Sequence, residues 1–316
     1  MKVLVTGGAG FIGSRLVGRL LAQGDSVDVV DDFSLGTREN LAPHVSHPKL
    51  SLTAMDCLAA EFGAFVSERR PDRIVHLAAN SDIQEGSRDP KTDLNRTFLT
   101  TFGVLEAMRR ANVTELVLAS TSAIYGSVPG AIPEDFGPLK PVSLYGAAKL
   151  ASEAYASAYA HLNGLKCWIF RFPNVVGPNL THGVIYDFVR RIGHDPTRLQ
   201  VLGNGTQTKP YLDVDDLLDA IFLGIEADAL PVATYNVAGE GMTSVREIAE
   251  LVRAALHLPN LRIEYGDSNR GWPGDVPTFE YDTTRIRALG WVPTKSSTVA
   301  VKAAIATEVA RCRRSS

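Results

Sequence analysis

The sequence predicts an α/β protein: a doubly wound parallel sheet covered by helices, followed by a smaller mixed α/β C-terminal domain. Three observations carry this. Short β-rich runs, apolar on both faces, alternate with helix-length segments through the first half, as a sheet buried on both sides requires. A glycine-rich turn, "TGGAGFIG", follows the first run at residues 6–13. After about Gly177 the rhythm breaks, Pro and Gly become frequent, and helices and short strands mix irregularly.

The expected strands are Lys2–Val5, Val27–Val30, Leu50–Met55, Arg73–Leu77, Leu116–Ala119 and Cys167–Phe170, with helices such as Arg15–Gln23 and Thr97–Arg110 between them. The first domain spans 1–176. The second spans 177–316 and has amphipathic helices at Asp215–Glu226 and Val245–Leu256 and strands at Thr234–Val237 and Arg262–Tyr265. A strand near 234–238 is expected to return to the main sheet.

A chain of 316 residues suits one large or two unequal domains. Hydrophobic residues at 45% and charged residues at 21% fit a soluble globular protein. The net charge of −3 gives no reason to expect nucleic acid or an anionic membrane as a partner, so any anionic ligand must be met by local Lys and Arg. Cys57, Cys167 and Cys312 are odd in number and match neither a metal site nor a disulfide framework. Reduced thiols and a cytoplasmic location are therefore expected, with no metal. The N-terminus lacks an apolar signal core, and no run reaches the roughly 18 apolar residues of a membrane span.

The glycines of the turn fall at Gly7, Gly10 and Gly13. They permit a tight turn and close approach of backbone N–H groups to a pyrophosphate, with the helix from Phe11 and Ile12 presenting its N-terminus to that charge. Set between a strand and a helix, this is the Rossmann fingerprint of a dinucleotide site. The second strand ends at Asp31 and Asp32, the first of them 18 residues after Gly13, where a carboxylate accepts the adenosine ribose hydroxyls and repels a 2′-phosphate. NAD is therefore favoured over NADP, although Arg38 stands nearby. Asp56, beside Cys57 at the end of the third strand, is placed to meet the adenine amino group.

"SLYGAAKLASEAY", residues 143–155, reads as a helix with Tyr145 and Lys149 four apart on one face. Free tyrosine ionises near pH 10, so a base working near neutrality needs a drop of about three units. A nearby ammonium and an oxidised nicotinamide would both favour the phenolate. Tyr155 and Tyr159, further along, are read as packing or solvent-facing. A hydroxyl-bearing strand end, "ASTSAIYG" at 119–126, precedes this helix by about 20 residues.

Taken together, "TGGAGFIG", "VVDDFSLG", "HLAA" at 76–79, "STSAIYG", "YGAAK" and "RFPNVVGP" at 171–178 resemble the extended short-chain dehydrogenase/reductases, and within them the UDP-glucose 4-epimerase-like enzymes. The later "YLDVDDLLDAI" and "RGWPGD" fit the same pattern, so the resemblance covers nearly the whole chain. The branch suggested is that of the UDP-glucuronate 4-epimerases, including those of moenomycin-type antibiotic assembly.

The resemblance implies that Tyr145 is the base at the sugar 4-hydroxyl, that Lys149 holds the nicotinamide ribose, and that Thr121 hydrogen-bonds the 4-oxygen. It adds Leu77, Ala78 and Ala79 to the cofactor site. For the substrate it implies Ser81 and Ser122 on the first domain, Asn174, Lys209 and Arg270 for the diphosphate, Gln200 and Leu202 for the base, and Thr181 and His182 for the sugar. Lys209 stands where relatives have arginine, keeping the charge without the bidentate fork. Some UDP-glucuronate epimerases carry an arginine near position 181 for the carboxylate; this chain has Thr181, leaving Ser81 or Arg88 to contribute and UDP-glucose as the alternative substrate.

Decarboxylases and 4,6-dehydratases of the same fold place an acid two positions after the threonine, and Ala123 stands there. A ketoreductase consuming external NAD(P)H and a non-catalytic NAD sensor are the remaining alternatives. A homodimer through a helix pair including 97–110 and 145–160 is expected from the resemblance.

Overall fold

The structure, a computed structural model, describes residues 1–227, 230–272 and 274–315. Seven strands form the central sheet: β1 (Lys2–Thr6), β2 (Ser26–Asp31), β3 (Leu50–Ala54), β4 (Arg73–His76), β5 (Glu115–Thr121), β6 (Lys166–Phe172) and β7 (Val232–Asn236). Their order is β7-β6-β5-β4-β1-β2-β3, with the direction of winding reversing at β1. β1 pairs in parallel with β2 from Lys2↔Ser26 to Thr6↔Val30, and the β1–β4, β2–β3 and β4–β5 pairs are parallel too.

Strands such as β5, buried along nearly all their length, need a cover on both faces. It comes from α1 (Phe11–Ala22), α2 (Phe62–Arg69), α3 (Thr100–Ala111) and α4 (Leu144–Asn163). Leu4, Ile74, Leu116 and Leu118 of the strands share one core with Phe62, Val66, Leu105, Met108, Ala156 and Ala160 of the helices. Burying each of the larger side chains contributes about 1.5–3 kcal/mol. Asn112, with φ 56°, stops α3 in the left-handed conformation.

The helix expected from Thr97 is not α-helical at its start. A π-helical turn, Leu94–Leu99, leads into α3. Thr100 Oγ1 donates to the Asn95 carbonyl at 3.0 Å and Thr101 Oγ1 to that of Thr97 at 2.8 Å, so hydroxyls bond the carbonyls around the widened turn.

The chain forms two compact units: residues 1–124, 144–171 and 221–235, and residues 125–143, 172–220 and 236–316. They are interleaved: a strand returns to the main sheet near 234–238 as expected, while 125–143 leaves the first unit despite lying before the expected boundary at 176. Strand pairing explains why: β6 and β7 join the central sheet, while Ala131–Ile132 pairs in parallel with Glu280–Tyr281 in the second unit. That unit also pairs Arg198–Val201 with Arg262–Tyr265 in parallel, and Thr208–Lys209 with Thr243–Ser244 antiparallel. Its helix Val245–Ala255 starts at a reciprocal cap, Glu247 N–H donating to Ser244 Oγ and Ser244 N–H to Glu247 Oε2. Among the described residues no helix is long and apolar enough to cross a membrane. Cys57 and Cys167 are free, buried thiols.

Candidate active site

The glycine turn leaves β1 with Gly7 at φ +71°, a backbone that L side chains rarely adopt. A Cβ on Gly7 would meet the Ala78 nitrogen at 2.7 Å, and one on Gly13 the Gly7 carbonyl oxygen at 2.3 Å. The turn is thus pressed against the end of β4 on one side and against α1 on the other. Gly10 caps α1 without a side-chain bond, so the N–H groups of the first turn, from Phe11 and Ile12, are left for an anion. This cradle fits a dinucleotide pyrophosphate.

The two acids after β2 divide their work. Asp31 is buried; its Oδ2 accepts from Ala9 N–H at 2.9 Å and its Oδ1 from Phe33 N–H at 2.8 Å, tying the glycine turn to the end of β2. Burial pushes its carboxyl up against the pull of those bonds. Asp32 is the exposed carboxylate, with Oδ1 taking the N–H and hydroxyl of Ser34. The Arg38 guanidinium stacks 4.4 Å from the Phe33 ring centre. Asp56 is exposed and its Oδ1 caps Leu58 N–H, while Cys57 is buried and burial pushes its thiol up. With Leu77, Ala78 and Ala79 after β4, these residues line the carboxyl ends of β1 to β4, where open α/β sheets bind their ligands.

Thr121 ends β5 and is followed by a short 3-10 turn, Ser122–Ile124. Its hydroxyl accepts Ala123 N–H at 3.2 Å and hydrogen-bonds Tyr145 near the start of α4. One turn later Lys149 is buried, its Nζ donating to the Ala119 carbonyl at 2.8 Å and lying 6.0 Å from the Tyr145 ring centre. Burial pushes the ammonium down to about 8, opposed by the charges of Glu153 and Asp93.

Of the two cations expected to favour the Tyr145 phenolate, the Lys149 ammonium does not act on it here. The Tyr145 ring is half-buried and its phenol enclosed, and burial pushes the phenol up rather than down. The Thr121 hydrogen bond pulls the other way, and the Asp93 charge adds to burial. The Lys149 ammonium is engaged at Ala119 and does not offset this, so the protein alone leaves the phenol protonated.

Sequence reasoning missed a buried group behind this pair. Glu153 accepts from Ser120 Oγ and from Arg171, whose Nη2 lies 2.6 Å from Oε2 and Nε 3.0 Å from Oε1. Its spacing of four from Lys149 was a signal that could have found it. His76 bridges Thr6 Oγ1 and Thr101 Oγ1 inside the unit, and burial pushes it down to about 3, so it is neutral.

Ser81 and Ser122 are half-buried in the first unit. In the second, Asn174 has an exposed side chain and a carbonyl that accepts Leu212 N–H at 3.0 Å. Gln200 and Leu202 are exposed, on and just after the strand Arg198–Val201. The Arg270 carbonyl would lie 2.8 Å from a Cβ on Gly203, so the turns carrying Leu202 and Arg270 are adjacent, with the Arg270 side chain exposed. Lys209 departs from the reading of a cation waiting for a diphosphate. It is buried, and its Nζ meets Asp275 Oδ1 at 2.9 Å and the Val276 carbonyl, so its charge is matched within the protein and fastens the segment after Arg270. Pro273 of "RGWPGD" lies outside the described residues. Thr181 Oγ1 pairs with His182 Nδ1 at 3.0 Å in the turn before the helix Val184–His194, and His182 is exposed.

A doubly wound sheet, a glycine cradle at its switch point and a Tyr-x-x-x-Lys helix beside a threonine strand end define an extended short-chain dehydrogenase/reductase. The chain belongs to the NAD dependent epimerase/dehydratase family, whose pattern residues 3–238 match. It is 34% identical to a UDP-glucose 4-epimerase of Mycolicibacterium smegmatis, over 93% of this chain and 94% of that one. Its structure resembles that of a UDP-galactose 4-epimerase with a TM-score of 0.87 and 37% identity, covering 98% of this chain and 99% of the other. It also resembles MoeE5 in complex with UDP-glucuronic acid and NAD, with a TM-score of 0.85 and 27% identity over the whole of both chains.

Proposed function

We propose that this protein is an NAD-dependent UDP-sugar 4-epimerase. The observation that carries the reading is the Thr121–Tyr145–Lys149 arrangement with Ala123, not an acid, beside it. When bound in the glycine cradle, NAD would supply the hydride acceptor for C4, and its cationic ring would counter the burial that raises the Tyr145 phenol. Tyr145 takes the proton of the sugar 4-hydroxyl and returns it after the sugar has turned its other face. Thr121 hydrogen-bonds the same oxygen and the phenol, guiding the proton between them. Lys149, as an ammonium, would hold the nicotinamide ribose. With alanine at 123, no carboxyl stands two residues beyond Thr121 for dehydration or decarboxylation. Asn174 and Arg270 serve the diphosphate, with Lys209 acting through its hold on the segment after Arg270. Gln200 and Leu202 serve the base.

Similarity to UDP-glucose and UDP-galactose epimerases supports a neutral hexose, as does the absence of an arginine at 181. UDP-glucuronate is the second reading, favoured by the likeness to the MoeE5 complex. Product NMR from UDP-glucose and UDP-glucuronate side by side tests both. A C4 epimer with its C4 hydrogen retained is expected. Release of carbon dioxide with a UDP-pentose, or no product from either sugar, overturns the proposal. A homodimer through α3 and α4 belongs to the same reading.

A further inference from the structure

The buried face of α4 is made of small and polar residues. Gly146, Ala148, Ala156 and Ala160 are its small members, and Lys149, Ser152 and Glu153 its polar ones. No large apolar side chain is among them. Such a face has few ridges to seat in a neighbour's grooves, so apolar packing holds the helix without fixing where along β5 it stops.

Directed bonds supply that register. Three consecutive residues of β5 each meet α4: the Ala119 carbonyl accepts from Lys149 Nζ at 2.8 Å, Ser120 Oγ donates to Glu153 Oε1, and Thr121 bonds the Tyr145 phenol. The three partners on α4 are spaced by four, one turn apart on one face. In the proposed reaction Tyr145 and Lys149 turn to the sugar and the nicotinamide ribose, so their bonds to β5 are shared with ligands. The bonds of Glu153 are not. It is also held from β6, where Arg171 Nη2 lies 2.6 Å from Oε2 and Nε 3.0 Å from Oε1. A buried ion pair is weak evidence for stability, since apolar residues of similar volume often serve as well. Its bonds are directional, however, and fix geometry.

We propose that Glu153 is a positioning residue for proton transfer: pinned between Ser120 of β5 and Arg171 of β6, it sets the register at which α4 presents Tyr145 and Lys149 beside Thr121. The inference rests on the tyrosine-base reading above. A shift of about 1 Å in a reacting group can lower a rate by about 100-fold, so a helix that slides slightly loses turnover before it loses its fold.

Ser120→Ala removes the bond to β5 and leaves the Glu153–Arg171 pair in place. Its kcat is expected to fall about 10-fold, while the affinities for NAD and for UDP, followed by calorimetry, stay within about threefold of the wild type. The isotope effect on kcat from a sugar deuterated at C4 is expected to be at least as large as in the wild type, because the step slowed is the chemical one. Glu153→Gln with Arg171→Gln removes both charges, so neither is left buried and unpaired. This pair is expected to lose at least as much turnover, and adding Ser120→Ala to it to cost little more, since the pin is already gone. If the pair of substitutions does not fold, Ser120→Ala alone decides. Turnover by Ser120→Ala within about twofold of the wild type overturns the inference. So does a smaller isotope effect, or a parallel loss of NAD and UDP affinity, which would mark a general loosening of the protein. In each of these cases the epimerase reading stands. A wild type that turns over neither UDP-glucose nor UDP-glucuronate overturns the epimerase reading and the role of Glu153 with it.

Discussion

Thr121 carries a hydroxyl from the end of β5 to the Tyr145 phenol, and that bond is the one local force drawing the phenol toward ionisation against burial and Asp93. Thr121→Val keeps the shape and removes the bond. Turnover is expected to fall by about 100-fold, in the range of a lost proton-transfer partner. The base works deprotonated, so a phenol released from that bond ionises at higher pH and the acid limb of the profile shifts upward. A profile unchanged in height and position would show that Thr121 does not act on the phenol.

At the scale of the element, α4 places Tyr145, Lys149 and Glu153 four residues apart along one face. Glu153 then fixes that helix to the sheet through Ser120 of β5 and Arg171 of β6, with both charged partners buried. Glu153→Gln leaves the Arg171 guanidinium enclosed without its counter-charge. A loss of about 3–5 kcal/mol in unfolding free energy is expected from denaturant titration. A loss below about 1 kcal/mol would mean that the Glu153 charge is not what holds the guanidinium in place. The π-helical turn before α3 was not legible in sequence, because Thr100 and Thr101 read as ordinary polar helix positions until their hydroxyls are seen on the Asn95 and Thr97 carbonyls.

At the scale of the molecule, α3 and α4 leave an aromatic patch open: Phe102 and Tyr155 are 37% and 42% exposed, and Tyr155 packs edge-on against Phe98 and Phe102. Such a patch on adjacent helices suits a second copy of the chain. Sedimentation is expected to show a dimer that Phe102→Glu with Tyr155→Glu converts to a folded monomer; a wild-type monomer at micromolar concentration would exclude the pairing. Tyr159, by contrast, is committed to Glu106 through a 2.6 Å hydrogen bond.

Much of this protein lay open in the linear chain because it depends on short-range pattern. Short β-rich runs announced β1 to β6, and glycines spaced 7, 10 and 13 announced the cradle, since steric limits on a turn act within a few residues. The helical spacing of Tyr145 and Lys149 likewise depends only on the helical repeat. Tertiary structure decided what depends on distant neighbours. It drew 125–143 out of the first unit through the pairing of Ala131–Ile132 with Glu280–Tyr281, matched Lys209 with Asp275 sixty-six residues away, and buried Glu153 against Arg171. It also decided the burial that raises the Tyr145 phenol, because desolvation is set by everything that packs around a phenol and no local pattern records it.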